Sequence, residues 1–268
     1  MTHPIAAALR SAAAEQRCAA CAAAAEDPSA VLLVDPLVAA LADRDARVVR
    51  AAASALERIG RQHEAVLVAL RPALRSEDPR QRFEAAWTWA RLEPPPIKLL
   101  PAVVSALEDL AGDARTRAAR LLVELTRLHG EVAPVVRSLV AADQPARVRA
   151  IGLTAMREIA PDSDAARRAH LAASRDPDPG LARIALTGLA GLAPAREIWE
   201  RIAEVLAHHA DPACRRIAAT AVGPLGDPPP DVRDALARAA QSDADPIVRA
   251  AAARALRSAH SGEQDVVE

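Results

Sequence analysis

The sequence predicts an all-α protein, a right-handed α-solenoid of about eight similar helix pairs. The first observation lies in residues 45–60, where the apolar residues Val49, Ala53, Leu56 and Ile59 follow at intervals of four, three and three. This spacing puts them on one face of a helix and excludes the alternation of a strand. The second observation is that the pattern returns every 32 to 35 residues. A fixed period of this length is typical of proteins built from stacked helical repeats.

The repeat is clearest in three columns of equivalent positions. An arginine near the start of each second helix forms the Arg50 column, which comprises Arg17, Arg50, Arg82, Arg117, Arg149, Arg183, Arg216 and Arg249. One apolar column comprises Leu56, Trp89, Leu125, Met156, Leu189, Val222 and Leu256. A second comprises Ile59, Leu92, Leu128, Ile159, Leu192 and Leu225. We expect the apolar columns to form the core, and the arginines to pair with turn aspartates of adjacent repeats.

Turn chemistry divides each period into two helices. Aspartate caps a helix N-terminus and proline fits the first turn, so the Asp-Pro steps predict helix starts. Gly60 is predicted to close the helix of the first observation. The predicted pairs are 4–11 with 13–26, 31–43 with 46–59, 64–75 with 80–92, 97–111 with 114–128, 131–142 with 146–159, 164–174 with 180–192, 195–209 with 213–225, and 231–241 with 246–259. We interpret residues 1–260 as one solenoid domain and residues 261–268 as a flexible acidic tail.

Composition narrows the class of protein. The chain has 268 residues, of which 51% are hydrophobic and 1% aromatic, and its net charge is −1. Alanine-rich helix pairs explain the scarcity of aromatics, and no uncharged run approaches the roughly 18 residues that span a bilayer. The three cysteines do not form a disulfide framework. We expect a cytoplasmic protein, and the single lysine and the lack of Asn and Tyr suggest a bacterial, GC-rich genome.

One segment carries a family resemblance. The turn Asp245-Pro246-Ile247-Val248-Arg249, followed by Ala252-Ala253-Arg254-Ala255-Leu256, resembles HEAT repeats, in particular the short bacterial type also seen in phycobilin-lyase subunits. The resemblance implies stacked helix pairs whose second helices line a concave face. It also implies a scaffold more often than an enzyme.

Charge is divided unevenly between the helices. The formal charges of the eight second helices sum to +14, so the remainder of the chain carries −15. If the second helices line the concave face, that groove is basic and attracts an acidic partner. The predicted partner is therefore another protein with an acidic surface.

The aromatic residues cluster on one second helix. Trp89 falls in a core column, whereas Trp87 falls in a column otherwise filled by Cys21, Ser54, Thr187 and Thr220. An aromatic among small residues on a surface is a candidate binding anchor. Trp199 is expected in the core. The predicted partner-binding residues are Arg82, Phe83, Trp87, Arg120 and Arg254.

No pattern in the chain matches a known catalytic or metal-binding motif. Cys18 and Cys21 share a helical face, and Cys214 lies near His208 and His209, but neither set has the spacing of a zinc site. We interpret these cysteines as packing residues, and expect neither metal nor cofactor. The predicted function is a non-enzymatic, protein-binding scaffold or adaptor. Two alternatives stay open: a nucleic-acid-binding or DNA-repair-type HEAT-like protein, and a phycobilin-lyase-like subunit.

Overall fold

The computed structural model describes residues 3–264, with side chains through residue 258. Its described residues form sixteen α-helices and no strand. The helices are α1 (Pro4–Ala8), α2 (Ala14–Glu26), α3 (Val34–Ala40), α4 (Ala46–Gly60), α5 (Ala65–Ala73), α6 (Pro79–Ala90), α7 (Leu100–Asp109), α8 (Gly112–Leu128), α9 (Ala133–Ser138), α10 (Ala146–Ile159), α11 (Asp164–Ala173), α12 (Pro179–Leu189), α13 (Arg196–His208), α14 (Pro212–Leu225), α15 (Pro230–Ser242) and α16 (Pro246–Gln264).

The chain divides into two compact units, residues 1–132 (unit 1) and residues 133–268 (unit 2). Unit 1 holds α1–α8 and unit 2 holds α9–α16, so each contains four helix pairs. Odd-numbered helices are the first helices of the pairs and even-numbered helices are the second. These pairs confirm the predicted all-α solenoid. Helix α16 continues through Gln264, and the rest of the predicted acidic tail lies outside the described residues.

The turns inside the pairs follow the predicted capping chemistry. Aspartate side chains accept a hydrogen bond from a backbone N–H in the first turn of five second helices; these caps are Asp45, Asp78, Asp178, Asp211 and Asp245. In four of the five, proline is the first helical residue, where its missing N–H costs nothing. The first helices α3, α7 and α9 begin later than predicted, because each follows a short 3-10 turn.

Within each unit, like helices stack on like helices. In unit 1, α2 packs on α4, α4 on α6 and α6 on α8; in unit 2, α10 packs on α12, α12 on α14 and α14 on α16. First helices pack beside their own second helices, as α3 does on α4 and α13 on α14. The predicted core column is buried at Leu56, Trp89, Leu125, Met156, Leu189 and Val222, and Trp199 is buried as expected. In the second apolar column Ile59, Leu192 and Leu225 are buried, whereas Leu128 is 52% exposed, since it ends α8 and the chain leaves the helix there.

Gly60 serves a different purpose from the one predicted. It is the last residue of α4, but it is not among the glycines with positive φ, so it does not reverse the chain. A Cβ at this position would lie 2.6 Å from Leu92 Cδ1. The glycine therefore leaves room for the Leu92 side chain of the next repeat.

Among the described residues, no helix is both long and apolar enough to cross a membrane.

Candidate functional site

A row of arginines runs along the turns between first and second helices. In α2, the Arg17 guanidinium donates to the carbonyls of Ser11 (2.9 Å) and Ala12 (3.0 Å), and its other nitrogens donate to both oxygens of Asp43 (2.6 and 2.9 Å). In α14, Arg215 repeats this geometry with two carbonyls and with Asp243 (2.8 Å to each oxygen). Each arginine thus ties its own turn to the turn of the next repeat.

We call these residues the arginine ladder: Arg17, Arg82, Arg149, Arg183, Arg215 and Arg249. All except Arg183 are the fourth residue of their helix. Arg149 donates to Asp176 (2.6 Å) and Arg183 pairs with Asp211 (3.2 Å), so the predicted pairing with turn aspartates is confirmed at these positions. Hydrogen bonds from Arg17 and Arg215 lower the pKa of Asp43 and of Asp243. The ladder arginines therefore hold the turns of the repeats in place.

A second set of ion pairs joins neighbouring second helices in unit 1. The pairs are Glu15–Arg47, Glu26–Arg58, Glu57–Arg91 and Glu84–Arg117, each spanning about one repeat. Their glutamates are already included in the net charge of +14, whereas the ladder arginines are neutralised by turn aspartates that lie outside the second helices. Only arginines outside both sets can attract an acidic group from a partner.

Such arginines meet at a pocket of about 170 Å³ among α4, α6 and α8, which we call the Arg50 pocket. Its charged lining residues are Arg50, Arg80, Glu84, Asp113 and Arg117. All five belong to unit 1. The pocket opens on the second-helix face, which is where the sequence predicts a binding surface.

Arg117 forms the fixed wall of the Arg50 pocket. Its guanidinium donates two hydrogen bonds to Glu84, at 2.6 and 3.0 Å, and one to Asp113 at 2.9 Å. The Cζ atom also lies 5.1 Å from the ring centroid of Phe83 and 5.3 Å from that of Trp87, within cation–π range. Burial lowers the pKa of Arg117, but the two carboxylates more than offset this and raise it. Arg117 is therefore charged and already satisfied.

Arg50 and Arg80 differ from Arg117, since neither guanidinium is bonded to another described residue. Arg50 is the fifth residue of α4, one position beyond the ladder, and the ladder position holds the buried Val49. Arg80 is the second residue of α6, in the first turn. Both side chains are exposed at the pocket. Their donors are available for a ligand.

The predicted partner-binding residues occupy different environments. Arg82 belongs to the ladder and donates to the Ser76 and Glu77 carbonyls and to Ser105 Oγ. Phe83 is 0% exposed and Trp87 is half-buried; their ring centroids lie 6.3 Å apart, and both rings contact the Arg117 guanidinium.

The other two predicted residues are exposed arginines. Arg120 follows Arg117 by three residues on α8, so the two lie on the same side of that helix. Arg254 lies on α16 of unit 2. Sequence reasoning did not single out Arg80, Glu84 or Arg117 as a group. The sequence did contain one indication of this group: Glu84 is an acidic residue on an apolar helix face, and Arg117 follows it after one repeat period.

The cysteines and histidines do not assemble into a metal site among the described residues, where no group of three or more His, Cys, Asp or Glu side chains converges. Cys21 and Cys214 are buried, and burial raises the pKa of each thiol to about 11. Both thiols are therefore protonated at neutral pH. Such cysteines pack as small apolar residues.

Comparison with known proteins identifies the repeat. Residues 167–257 match the family profile described as HEAT repeats. A comparison with curated protein sequences gives no significant match.

Three solved structures are similar in fold. A chain in the structure of Kap95p with RanGDP matches over 95% of this chain and 40% of its own length, with TM-score 0.64 and 15% identity. Kap121p bound to Nup53p matches over 94% and 32%, with TM-score 0.57 and 14% identity. YibA of Escherichia coli matches over 94% and 91%, with TM-score 0.56 and 16% identity. These likenesses agree with the stacked helix pairs of the chain, and residues 167–257 are similar to HEAT repeats.

Proposed function

We propose that the protein is a non-enzymatic scaffold that binds a partner protein on the second-helix face of unit 1. An acidic side chain of the partner enters the Arg50 pocket between Arg50 and Arg80, and an apolar part of the partner contacts Trp87. The observation that carries this proposal is the pair of unbonded arginines at a pocket whose wall, Arg117, also contacts the half-buried Trp87.

The chemistry of the pocket favours a carboxylate. Arginine presents a planar fork of donors that matches the two oxygens of a carboxylate. Arg117 is occupied by Glu84 and Asp113, so the ligand is held by Arg50 and Arg80. The carboxylates of Glu84 and Asp113 line the same pocket and would repel the successive phosphates of a nucleic-acid backbone. This argues for an acidic protein surface over a nucleic acid.

Proteins of the same fold support a binding role in general. The structures similar to this chain include Kap121p bound to Nup53p, Kap121p bound to Pho4p, and Kap95p with RanGDP. Nup53p, Pho4p and RanGDP are partners of Kap121p and Kap95p. For this chain we carry over only the use of a helical-repeat surface to hold another protein.

The test is affinity capture from native lysate with paired variants. Arg50→Glu with Arg80→Glu reverses the pocket, and Arg147→Glu with Arg216→Glu is the matched control in unit 2. Arg147 is the second residue of α10 and Arg216 the fifth of α14, and both are exposed. We expect the pocket variant to lose a protein that the wild type and the control both retain. Equal recovery by all three would contradict the proposal, as would recovery that nuclease treatment abolishes.

Trp87→Ala tests the apolar half of the site. If Trp87 is a binding anchor, its loss weakens partner binding by more than about 1 kcal/mol. Calorimetric titration with the captured partner measures this, and urea unfolding of the free variant reports its stability. A loss of stability with unchanged affinity would remove Trp87 from the site and leave it as a packing residue.

A further inference from the structure

We infer a second docking site on the first-helix layer of unit 1, for an acidic peptide segment of a partner protein. A groove of about 670 Å³ lies between α5 and α7, and we call it the Lys98 groove. Its cationic lining residues are Arg71, Arg75 and Lys98, and its apolar lining includes Pro72, Leu74 and Pro101. It lies on the opposite helix layer from the Arg50 pocket. The inference therefore does not rest on the proposed function.

The groove has a local cause in the sequence. The connection from α4 to α5 spans residues 61–64, whereas the connection from α6 to α7 spans residues 91–99. The longer connection contains three consecutive prolines, 94–96, which cannot continue a helix. A 3-10 turn, Ile97–Leu99, then leads into α7. Lys98, which belongs to this segment, lines one side of the groove, and the C-terminal end of α5 lines the other.

The groove carries positive charge without a carboxylate in its lining. No described residue is bonded to the guanidinium of Arg71 or Arg75. Lys98 Nζ lies 3.8 Å from the ring centroid of Trp89, so a cation–π contact holds the ammonium in place. Three cations gathered without counter-charges favour an anionic ligand.

Exposed apolar side chains next to the lining residues in sequence, together with the apolar lining itself, point to a peptide. Val68 lies three residues before Arg71 on α5 and is 57% exposed, and Ile97 adjoins Lys98 and is 38% exposed. An acidic segment with interspersed apolar residues satisfies both the cations and these exposed side chains. A nucleic acid would use the cations and leave the apolar surface in contact with its hydrophilic backbone.

Lys98 offers a direct test, because it is the only lysine in the chain. The probe is a fluorescein-labelled peptide, Glu-Glu-Leu-Glu-Glu-Leu, in which only the C-terminal carboxyl group is activated as a succinimidyl ester, so that the four glutamate side chains keep their negative charge. The neutral lysine amine attacks the ester of a bound peptide and forms an amide, and the ester leaves as N-hydroxysuccinimide, which takes up the proton that the nitrogen loses. Peptide mass spectrometry measures coupling at Lys98 relative to coupling at the α-amino group of the same chain.

Three proteins are compared. The groove variant carries Arg71→Glu and Arg75→Glu, and the matched control carries Arg168→Glu and Arg238→Glu on exposed positions of first helices in unit 2. We expect relative coupling at Lys98 to fall at least about tenfold in the groove variant, because the charge reversal repels the peptide. The control is expected to match the wild type. Anisotropy of the unactivated labelled peptide should show the same order of affinities.

The result that overturns the inference is equal coupling at Lys98 in all three proteins. Absence of measurable peptide binding by the wild type overturns it too. A labelled oligo-dT strand is the competing probe: binding of this strand that depends on Arg71 and Arg75, without peptide binding, would assign the groove to nucleic acid. The Arg50→Glu, Arg80→Glu variant should keep full coupling at Lys98, so failure of this site and failure of the Arg50 pocket are distinguished.

Discussion

His170 shows how tightly one side chain can be fitted between a first and a second helix. It lies on α11, is buried, and its Nδ1 is 2.9 Å from the Ala166 carbonyl oxygen. A Cβ added to Gly188 of α12 would be 2.4 Å from its Nε2. The absence of a side chain at Gly188 therefore makes room for the imidazole. Burial, with a smaller contribution from Arg157, lowers the pKa of His170 below its usual value of 6.5.

The lowered pKa makes stability depend on pH with a definite sign. The unfolded chain binds a proton at His170 more readily than the folded chain does, so stability is complete above the unfolded pKa of 6.5 and declines as pH falls below it. We expect the urea midpoint of the wild type to drop between about pH 7.5 and pH 5.5 by more than that of His170→Gln. Equal drops in the two proteins would show that His170 does not titrate in this window.

A shift of one position along a helix decides what an arginine does. The sequence places Arg50 and Arg216 in the same column as Arg17 and Arg149, and predicts one structural role for all. The structure puts every ladder arginine except Arg183 at the fourth helical residue, so in α14 Arg215 takes that role and Arg216 is exposed. Because the repeat length varies from 32 to 35 residues, the alignment of one helix with the next is uncertain by up to about one helical turn. Sequence spacing therefore predicts the ladder, but cannot tell which arginine remains available to a ligand.

At the scale of the helix, the second helices depend on a buried residue near their C-terminal end. Leu189 is fully buried in α12, while Ser54 is exposed on α4, in the column of Trp87. We expect Leu189→Ala to lower the free energy of unfolding by roughly 2–5 kcal/mol, since it removes buried methyl groups and leaves a cavity. Ser54→Ala should change it by less than about 0.5 kcal/mol. Chemical denaturation measures both, and similar costs would mean that the two columns are misassigned.

Helices were predictable because each carries several independent signals. The aspartate caps, the first-turn prolines and the apolar columns agree at α6, α12, α14 and α16, and the predicted starts lie within a residue or two of those observed. Helices α1 and α9 have five and six residues and are shorter than the predicted ranges 4–11 and 131–142. Short helices of this kind depend on packing against their neighbours more than on local sequence.

At the scale of the whole chain, the count of formal charge overstates the positive charge that the second helices can offer to a partner. Ladder arginines pair with turn aspartates outside the second helices, such as Arg17 with Asp43 and Arg215 with Asp243, and these pairs neutralise part of the counted charge. Unpaired positive charge then remains at Arg50 and Arg80 in the Arg50 pocket. Arg120 is also exposed, on α8, three residues after Arg117. The account therefore predicts a local basic site instead of a uniformly basic groove.

The most direct test of this claim is the salt dependence of partner affinity, measured by calorimetry for the wild type and for Arg50→Glu with Arg80→Glu. If an acidic group of the partner enters the Arg50 pocket, the affinity of the wild type falls as ionic strength rises, because screening weakens the attraction. The variant binds more weakly at low salt, and its affinity falls less with added salt or rises. Affinities that are equal in the two proteins and share one salt dependence would contradict the account.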